Sequence, residues 1–242
     1  NSYMSDIKVD CIINCAAYTD VRKAEIEKEK AFDVNSNGVK NLVAYCEENN
    51  IKLIHFSTDY VYSSDNSKPI NEEEFIDPQN YYGFSKREGE KHIENSKNES
   101  IIIRTSWLYS KYGNNFVNTI IDKTKTVESL NVINDQFGCP TYAKDLAEAV
   151  IKILEIDKRI DDKAKIFNYS NKGSTNWFNF AKKILLLYGS DKMIKPVDSE
   201  HFKDEVKRPK FSITSKQKII NTFNLKINNW DKSLEDYITN DL

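Results

Sequence analysis

Apolar and polar positions along the chain alternate between two periods. Val9–Ala17 is an almost continuous apolar run, the pattern of a strand covered on both faces of a parallel sheet. Val39, Leu42, Val43 and Cys46 then recur at i, i+3, i+4 and i+7, one face of a helix. Ile51–Phe56 predicts the next strand and Tyr82–Asn95 the next helix. Ile101–Trp107 predicts a third strand, Phe116–Lys125 a helix and Leu130–Asn134 a short strand. Strands that alternate with helices predict an α/β fold with a doubly wound parallel sheet.

The character changes after Asp135. A loop through Pro140 leads into a helix marked by Ala143, Leu146, Ala147, Val150, Ile151 and Leu154. Lys165–Ser170 predicts a strand. Trp177, Phe180, Ala181, Ile184 and Leu185 mark a helix that Gly189 stops, and a last helix is expected near Trp230–Ile238. Two parts are therefore expected: residues 1–134 as a dinucleotide-binding domain, and 135–242 as a smaller α/β substrate-binding lobe with some elements returning to the sheet.

Composition removes several classes of function. The 242 residues carry a formal net charge of −2 with both signs mixed, which is no signature for nucleic acid. No run of 18 or more apolar residues occurs, so no membrane span is expected. The first residues lack the basic-then-apolar layout of a signal peptide. Cys11 and Cys15, on one strand, are roughly 13 Å apart, too far for a disulfide. With no CxxC pair and three scattered histidines, no metal site is assigned. A reducing cytoplasm is the expected compartment.

Candidate chemistry sits in two short strings. Ser57-Thr58-Asp59-Tyr60 ends the strand at Phe56, and Tyr82-Gly83-Phe84-Ser85-Lys86 opens the following helix. A lysine four residues after a tyrosine lies on the same helix face, where an ammonium stabilises phenolate. The spacing alone carries little: with 13 tyrosines in so lysine-rich a chain, about one or two such pairs arise by chance. The second, Tyr188–Lys192, falls at an expected helix end with no strand-end hydroxyl upstream. Taken alone, Tyr82 reads as a half-buried aromatic and Lys86 as a solvated charge. The hydroxyl of Thr58 or Ser57 is what makes the pair a candidate proton donor.

The flanking motifs extend the pattern. Asn14-Cys-Ala-Ala-Tyr-Thr19, Ser57-Thr-Asp-Tyr-Val-Tyr62, Tyr82-Gly-x-x-Lys86-x-x-Gly-Glu90, Arg104-Thr-Ser-Trp-x-Tyr109, Gly113-Asn-Asn-Phe116 and Asn134-Asp-Gln-Phe-Gly-x-Pro-Thr141 occur in order. Together they closely resemble the dTDP-4-dehydrorhamnose reductases, an extended branch of the short-chain dehydrogenase/reductase family. The resemblance is specific from about residue 9 to 155 and weaker through Asn168–Phe180 and Lys207–Pro209.

It implies a Rossmann-like fold that reduces the 4-ketone of a dTDP-linked 6-deoxyhexose with NADPH or NADH. Tyr82 would supply the proton, Lys86 would hold the nicotinamide ribose and depress the Tyr82 pKa, and Thr58 would bond the reacting oxygen. Ala16, Ala17, Thr19 and Ser57 match cofactor-lining positions. Thr19, Val21, Tyr60, Trp107 and Gln136 match the sugar pocket, alongside Thr58 and Tyr82. Core packing is the competing reading of Trp107, and close packing without a ligand that of Ala16–Ala17. A homodimer is expected as the assembly.

One departure limits these expectations. None of the seven glycines forms the Gly-rich turn that cradles a dinucleotide pyrophosphate. The first βαβαβ half of the family's fold has no counterpart here, so a longer natural protein is expected. The strand at Val9–Ala17 should then expose an apolar edge. The residue that distinguishes NADH from NADPH follows the second strand of that half. Two other readings share the fold: a non-catalytic regulatory subunit, like the family relative that serves a methionine adenosyltransferase, or a reductase or epimerase of another nucleotide sugar.

Overall fold

The structure, a computed structural model, describes residues 8–63, 68–156, 165–203 and 206–242. In chain order it begins β1 (Cys11–Asn14), α1 (Val21–Ile26), α2 (Lys28–Phe32), α3 (Gly38–Asn49), β2 (Lys52–Thr58), α4 (Tyr81–Glu94) and β3 (Ser100–Thr105). There follow β4 (Leu108–Tyr109), α5 (Phe116–Thr124), β5 (Ser129–Ile133), β6 (Phe137–Gly138), β7 (Thr141–Tyr142) and α6 (Ala143–Glu155). The remainder is β8 (Lys165–Tyr169), β9 (Thr175–Asn176), α7 (Trp177–Tyr188), β10 (Met193–Val197), β11 (Phe211–Ser212), α8 (Gln217–Phe223) and α9 (Trp230–Asp236).

Contacts divide the chain into two compact units, and the first is built on a four-stranded sheet of order β1-β2-β3-β8. It takes in the described residues up to Tyr62, Ile76–Arg104 and β8 as far as Phe167. β1 and β2 run parallel in a register that pairs Cys11 with Lys52 and Asn14 with His55. Val39, Val43 and Cys46 of α3 bury against Leu53, Ile93 and Ile102, so the helical face read from the spacing is the one that packs. β1 is shorter than the apolar run suggested and is not covered on both faces: Ile13 is 42% exposed. The ladder stops at Asn14 because its side-chain Oδ1 accepts the Ala16 N–H at 3.1 Å, turning the chain out of the sheet.

Between β1 and β2 the chain adds α1, α2 and a π-turn over Asp33–Asn37, none of them expected from periodicity. Asp20 caps α1 by accepting the Lys23 N–H. α4 approaches the Asp59–Val61 turn closely at Gly83, where a Cβ would stand 2.3 Å from the Tyr60 carbonyl oxygen. A glycine is therefore required there for the helix to seat.

The second unit holds the described part of Ser63–Phe75, Thr105 to Ile156, and the described residues from Asn168 onward. Its core joins Val117, Ile120 and Ile121 of α5 to Leu130, Val132, Phe180, Ile184, Leu234 and Tyr237. The sequence reading divides the chain near residue 135, whereas contacts move α5 and β5 to the later part, because their apolar faces bury against α7 and α9. β5 pairs in parallel with β10, Ser129 opposite Met193, and not with the four-stranded sheet. Gly189, at φ 72°, ends α7 as expected.

Candidate active site

Tyr82 and Thr58 meet where β2 ends and α4 begins. β2 reads Leu53, Ile54 and His55 as fully buried positions, then releases Thr58 at its last residue. The Thr58 hydroxyl accepts the Tyr60 N–H at 3.2 Å and donates to the Asp59 carboxylate at 3.1 Å. α4 starts at Tyr81 because Asn80 caps it, accepting the Gly83 N–H at 2.9 Å. Tyr82 is thereby set in the first turn, where the Thr58 hydroxyl acts on its phenol. The Tyr60 ring meets the Tyr82 ring edge-on at 5.6 Å.

Burial raises the Tyr82 phenol well above its ordinary value, and the Thr58 hydrogen bond opposes that shift. Asp59 and Tyr60 add to the upward shift, so the lowering contribution named at this phenol comes from Thr58. At neutral pH the phenol therefore holds its proton, the form an acid needs.

Lys86 lies one turn further along α4 and is 2% exposed. Its Nζ donates to the Phe56 carbonyl at 2.6 Å and stands 3.3 Å from His55 Nε2. Burial lowers Lys86 to about 8, with Glu90 acting the other way. His55 is fully buried, and desolvation together with Lys86 holds its imidazole well below the usual range. Its Nδ1 is 2.9 Å from Asn14 Nδ2.

Behind these groups, α4 is tied to the sheet by charge. Glu90 accepts from Arg104 Nε at 2.8 Å and Nη2 at 2.7 Å, and from Arg87 at 2.9 Å. Burial alone would raise the Glu90 carboxyl, but Arg104, Ser57 and Arg87 bring it below its ordinary value. Asn35 donates to Ser85 at 2.9 Å and closes a pair of hydrogen bonds with the Tyr18 backbone, so the π-turn locks α4 against the segment after β1.

That segment carries other expected positions. Ala16 and Thr19 are exposed, Ala17 is half-buried, and Val21 opens α1 half-buried. They follow the carboxyl end of β1, beside the end of β2 in the parallel register, where ligands of doubly wound sheets bind. Trp107 and Gln136 belong to the second unit. Trp107 adopts a left-handed backbone, φ 47°, and stacks on Trp177 with centroids 3.4 Å apart. A Cβ at Gly138 would stand 2.6 Å from the Trp107 ring. Gln136 is buried. The Tyr188–Lys192 pair does not share a helix face, since α7 ends at Tyr188.

A phenol and an amine one turn apart, with a strand-end hydroxyl on the phenol, suit the nicotinamide-ribose end of a dinucleotide. The pyrophosphate end has no glycine cradle among the described residues: Gly83 packs on Tyr60 and Gly138 on Trp107. Sequence reasoning missed His55 and Asn35. Each is a polar residue inside an otherwise packed element, which was the available signal.

The chain is similar to known proteins over nearly its whole length. The family model described as RmlD substrate binding domain matches residues 1–242. A dTDP-4-dehydrorhamnose reductase of Sinorhizobium fredii is 36% identical over 238 residues, covering 96% of this chain and 80% of that protein. The spore coat polysaccharide biosynthesis protein SpsK of Bacillus subtilis is 35% identical over 229 residues, covering 95% and 78%. The crystal structure of dTDP-4-dehydrorhamnose reductase from Bacillus anthracis in complex with NADP superposes with a TM-score of 0.92 at 36% identity, covering 98% of this chain and 82% of that one.

Proposed function

This chain belongs to the RmlD substrate binding domain family, and from that premise we propose that it reduces the 4-ketone of dTDP-4-dehydro-L-rhamnose with NADPH to give dTDP-L-rhamnose. The observation that carries the reading is Tyr82 in the first turn of α4, with Lys86 one turn on and the strand-end Thr58 hydroxyl acting on its phenol. A proton donor, its hydrogen-bonding partner and a buried amine favour an enzyme over a non-catalytic subunit on the same fold.

When bound, the cofactor supplies the hydride to the carbonyl carbon. The carbonyl oxygen becomes an alcohol as the Tyr82 Oη–H bond breaks and its proton moves to that oxygen, leaving phenolate. Thr58 holds the same oxygen by turning its single hydroxyl proton from Asp59 to it. Lys86, Tyr82, Ser57 and the strand-end residues Ala16, Ala17 and Thr19 hold the nicotinamide-ribose end. Val21 and Tyr60 of the first unit, and separately Trp107 and Gln136 of the second, are the sugar-side positions that the resemblance implies, and the unit that carries Trp107 is the substrate-binding lobe. The reading includes a cytoplasmic homodimer, checked by light scattering and fractionation.

The test follows NADPH oxidation with dTDP-4-dehydro-L-rhamnose and, in parallel, other dTDP-4-keto sugars. Tyr82→Phe should lower kcat by about 10²–10⁴-fold, the range of a general acid, and leave sugar-nucleotide binding intact. Unchanged turnover in that variant removes Tyr82 from the chemistry. Faster turnover of another keto sugar reassigns the substrate.

A further inference from the structure

The Trp107 backbone is left-handed, φ 47°, a region that a bulky residue adopts only where its surroundings hold it there. The holds all come from the second unit. The Trp107 carbonyl accepts the Thr141 N–H at 3.1 Å, and the preceding Ser106 hydroxyl donates to the Cys139 carbonyl at 2.8 Å. Those bonds place the backbone. The ring is placed by Trp177, whose centroid lies 3.4 Å away with the planes within 9°. Trp177 is itself fixed. It is the first residue of α7, which Asn176 caps by accepting the Asn179 N–H at 2.8 Å. Asn176 also donates through Nδ2 to the Asn134 carbonyl at 3.0 Å and pairs with Phe137 across the β6–β9 ladder. Phe116 packs against the Trp177 ring at 4.5 Å.

This arrangement leaves Trp107 one face for a ligand. Nothing enters between rings in van der Waals contact. The Cε2–Nε1 edge meets Gly138, where a Cβ would stand 2.6 Å away. Phe180 is nearly equidistant from the two indoles, 6.2 Å from Trp107 and 6.4 Å from Trp177, so it flanks the stack and covers neither outer face. Trp107 is only half-buried, and the face turned away from Trp177 is the one left to carry that exposure. We propose that Trp177 is a positioning residue for the sugar nucleotide: by stacking on Trp107 it sets which indole face meets the sugar. It therefore acts on sugar affinity and not on proton transfer. Without the stack, Trp107 is free to relax its backbone and turn its ring into the space that Trp177 leaves. Core packing alone would make Trp177 matter for stability and leave affinity untouched. The inference rests on the reading of Trp107 as a sugar-side residue; the stack does not.

The experiment begins with ¹H–¹⁵N NMR of the three indoles, assigned by their loss in Trp107→Phe, Trp177→Phe and Trp230→Phe. In the ligand-free protein the Trp107 N–H should lie upfield of an isolated indole, because the partner ring shields it, and Trp177→Leu should return it downfield. An unshielded Trp107 signal in the wild type overturns the inference. Calorimetric titration with dTDP-L-rhamnose, the product, then reads affinity. Trp177→Leu should weaken Kd by about tenfold, the scale of one aromatic pair, and Trp177→Phe, which keeps a flat ring, should recover most of it. Initial rates should show the KM for the sugar nucleotide raised to match, with kcat and the KM for NADPH unchanged. A lower melting temperature with unchanged Kd in Trp177→Leu, while Trp107→Leu loses binding, overturns the positioning role alone. Unchanged Kd in both variants overturns the sugar-side reading of Trp107 and the inference with it. Unchanged turnover in Tyr82→Phe would sink the proposed chemistry and leave the titration as it is.

Discussion

Burying an amine at Lys86 should leave a mark on stability that depends on pH. Its folded midpoint is about 8 against an ordinary 10.5, and each unit corresponds to about 1.4 kcal/mol. Keeping the charged form buried thus costs the fold about 3 kcal/mol below pH 8. Between pH 8 and 10.5 the unfolded chain binds more protons at this site than the folded one, so stability rises with pH there. Lys86→Met has no such group, and the loss of its hydrogen bonds adds only a constant offset. The difference in unfolding free energy, wild type minus variant, should therefore rise by about 2 kcal/mol from pH 7 to 9.5. Urea unfolding of both proteins at each pH, followed by far-UV circular dichroism, measures it. A difference that is flat or falls with pH refutes the account of Lys86 as a desolvated amine.

Other outcomes follow from the same contacts. Arg104→Met leaves the buried Glu90 carboxylate without its bidentate partner and should cost about 3–5 kcal/mol in urea melts. Gly83→Ala pushes α4 off the Tyr60 carbonyl; it should cost about 1–3 kcal/mol and lower kcat, because Tyr82 sits beside it. Gly138→Ala displaces the Trp107 ring and should raise KM for the sugar nucleotide more than that for NADPH, as read from initial rates. His55, held neutral, resists protonation that the unfolded chain accepts, so stability falls as pH drops through about 6.5. His55→Gln should flatten that acid limb in thermal melts.

The chain's pattern was enough for the elements that depend on local spacing. The α3 face and the α7 stop follow from side-chain period and a glycine. The Tyr82–Lys86 pair was visible because helix geometry makes i and i+4 neighbours whatever surrounds them. The chance arithmetic showed why that spacing needed Thr58 and the flanking motifs before it meant anything.

What tertiary packing decided is where each polar group's partner comes from. Asn14, His55 and Lys86 are separated by 41 and 31 residues, and only the β1–β2 register aligns them. The same holds for Glu90 and Arg104, joined across α4 and β3, and for β5, whose strand partner comes from β10. The direction of the Tyr82 shift also lay outside the sequence. Proximity of a lysine argues for a lowered phenol, whereas burial of both groups raises the phenol and lowers the amine, and burial is a property of the whole fold.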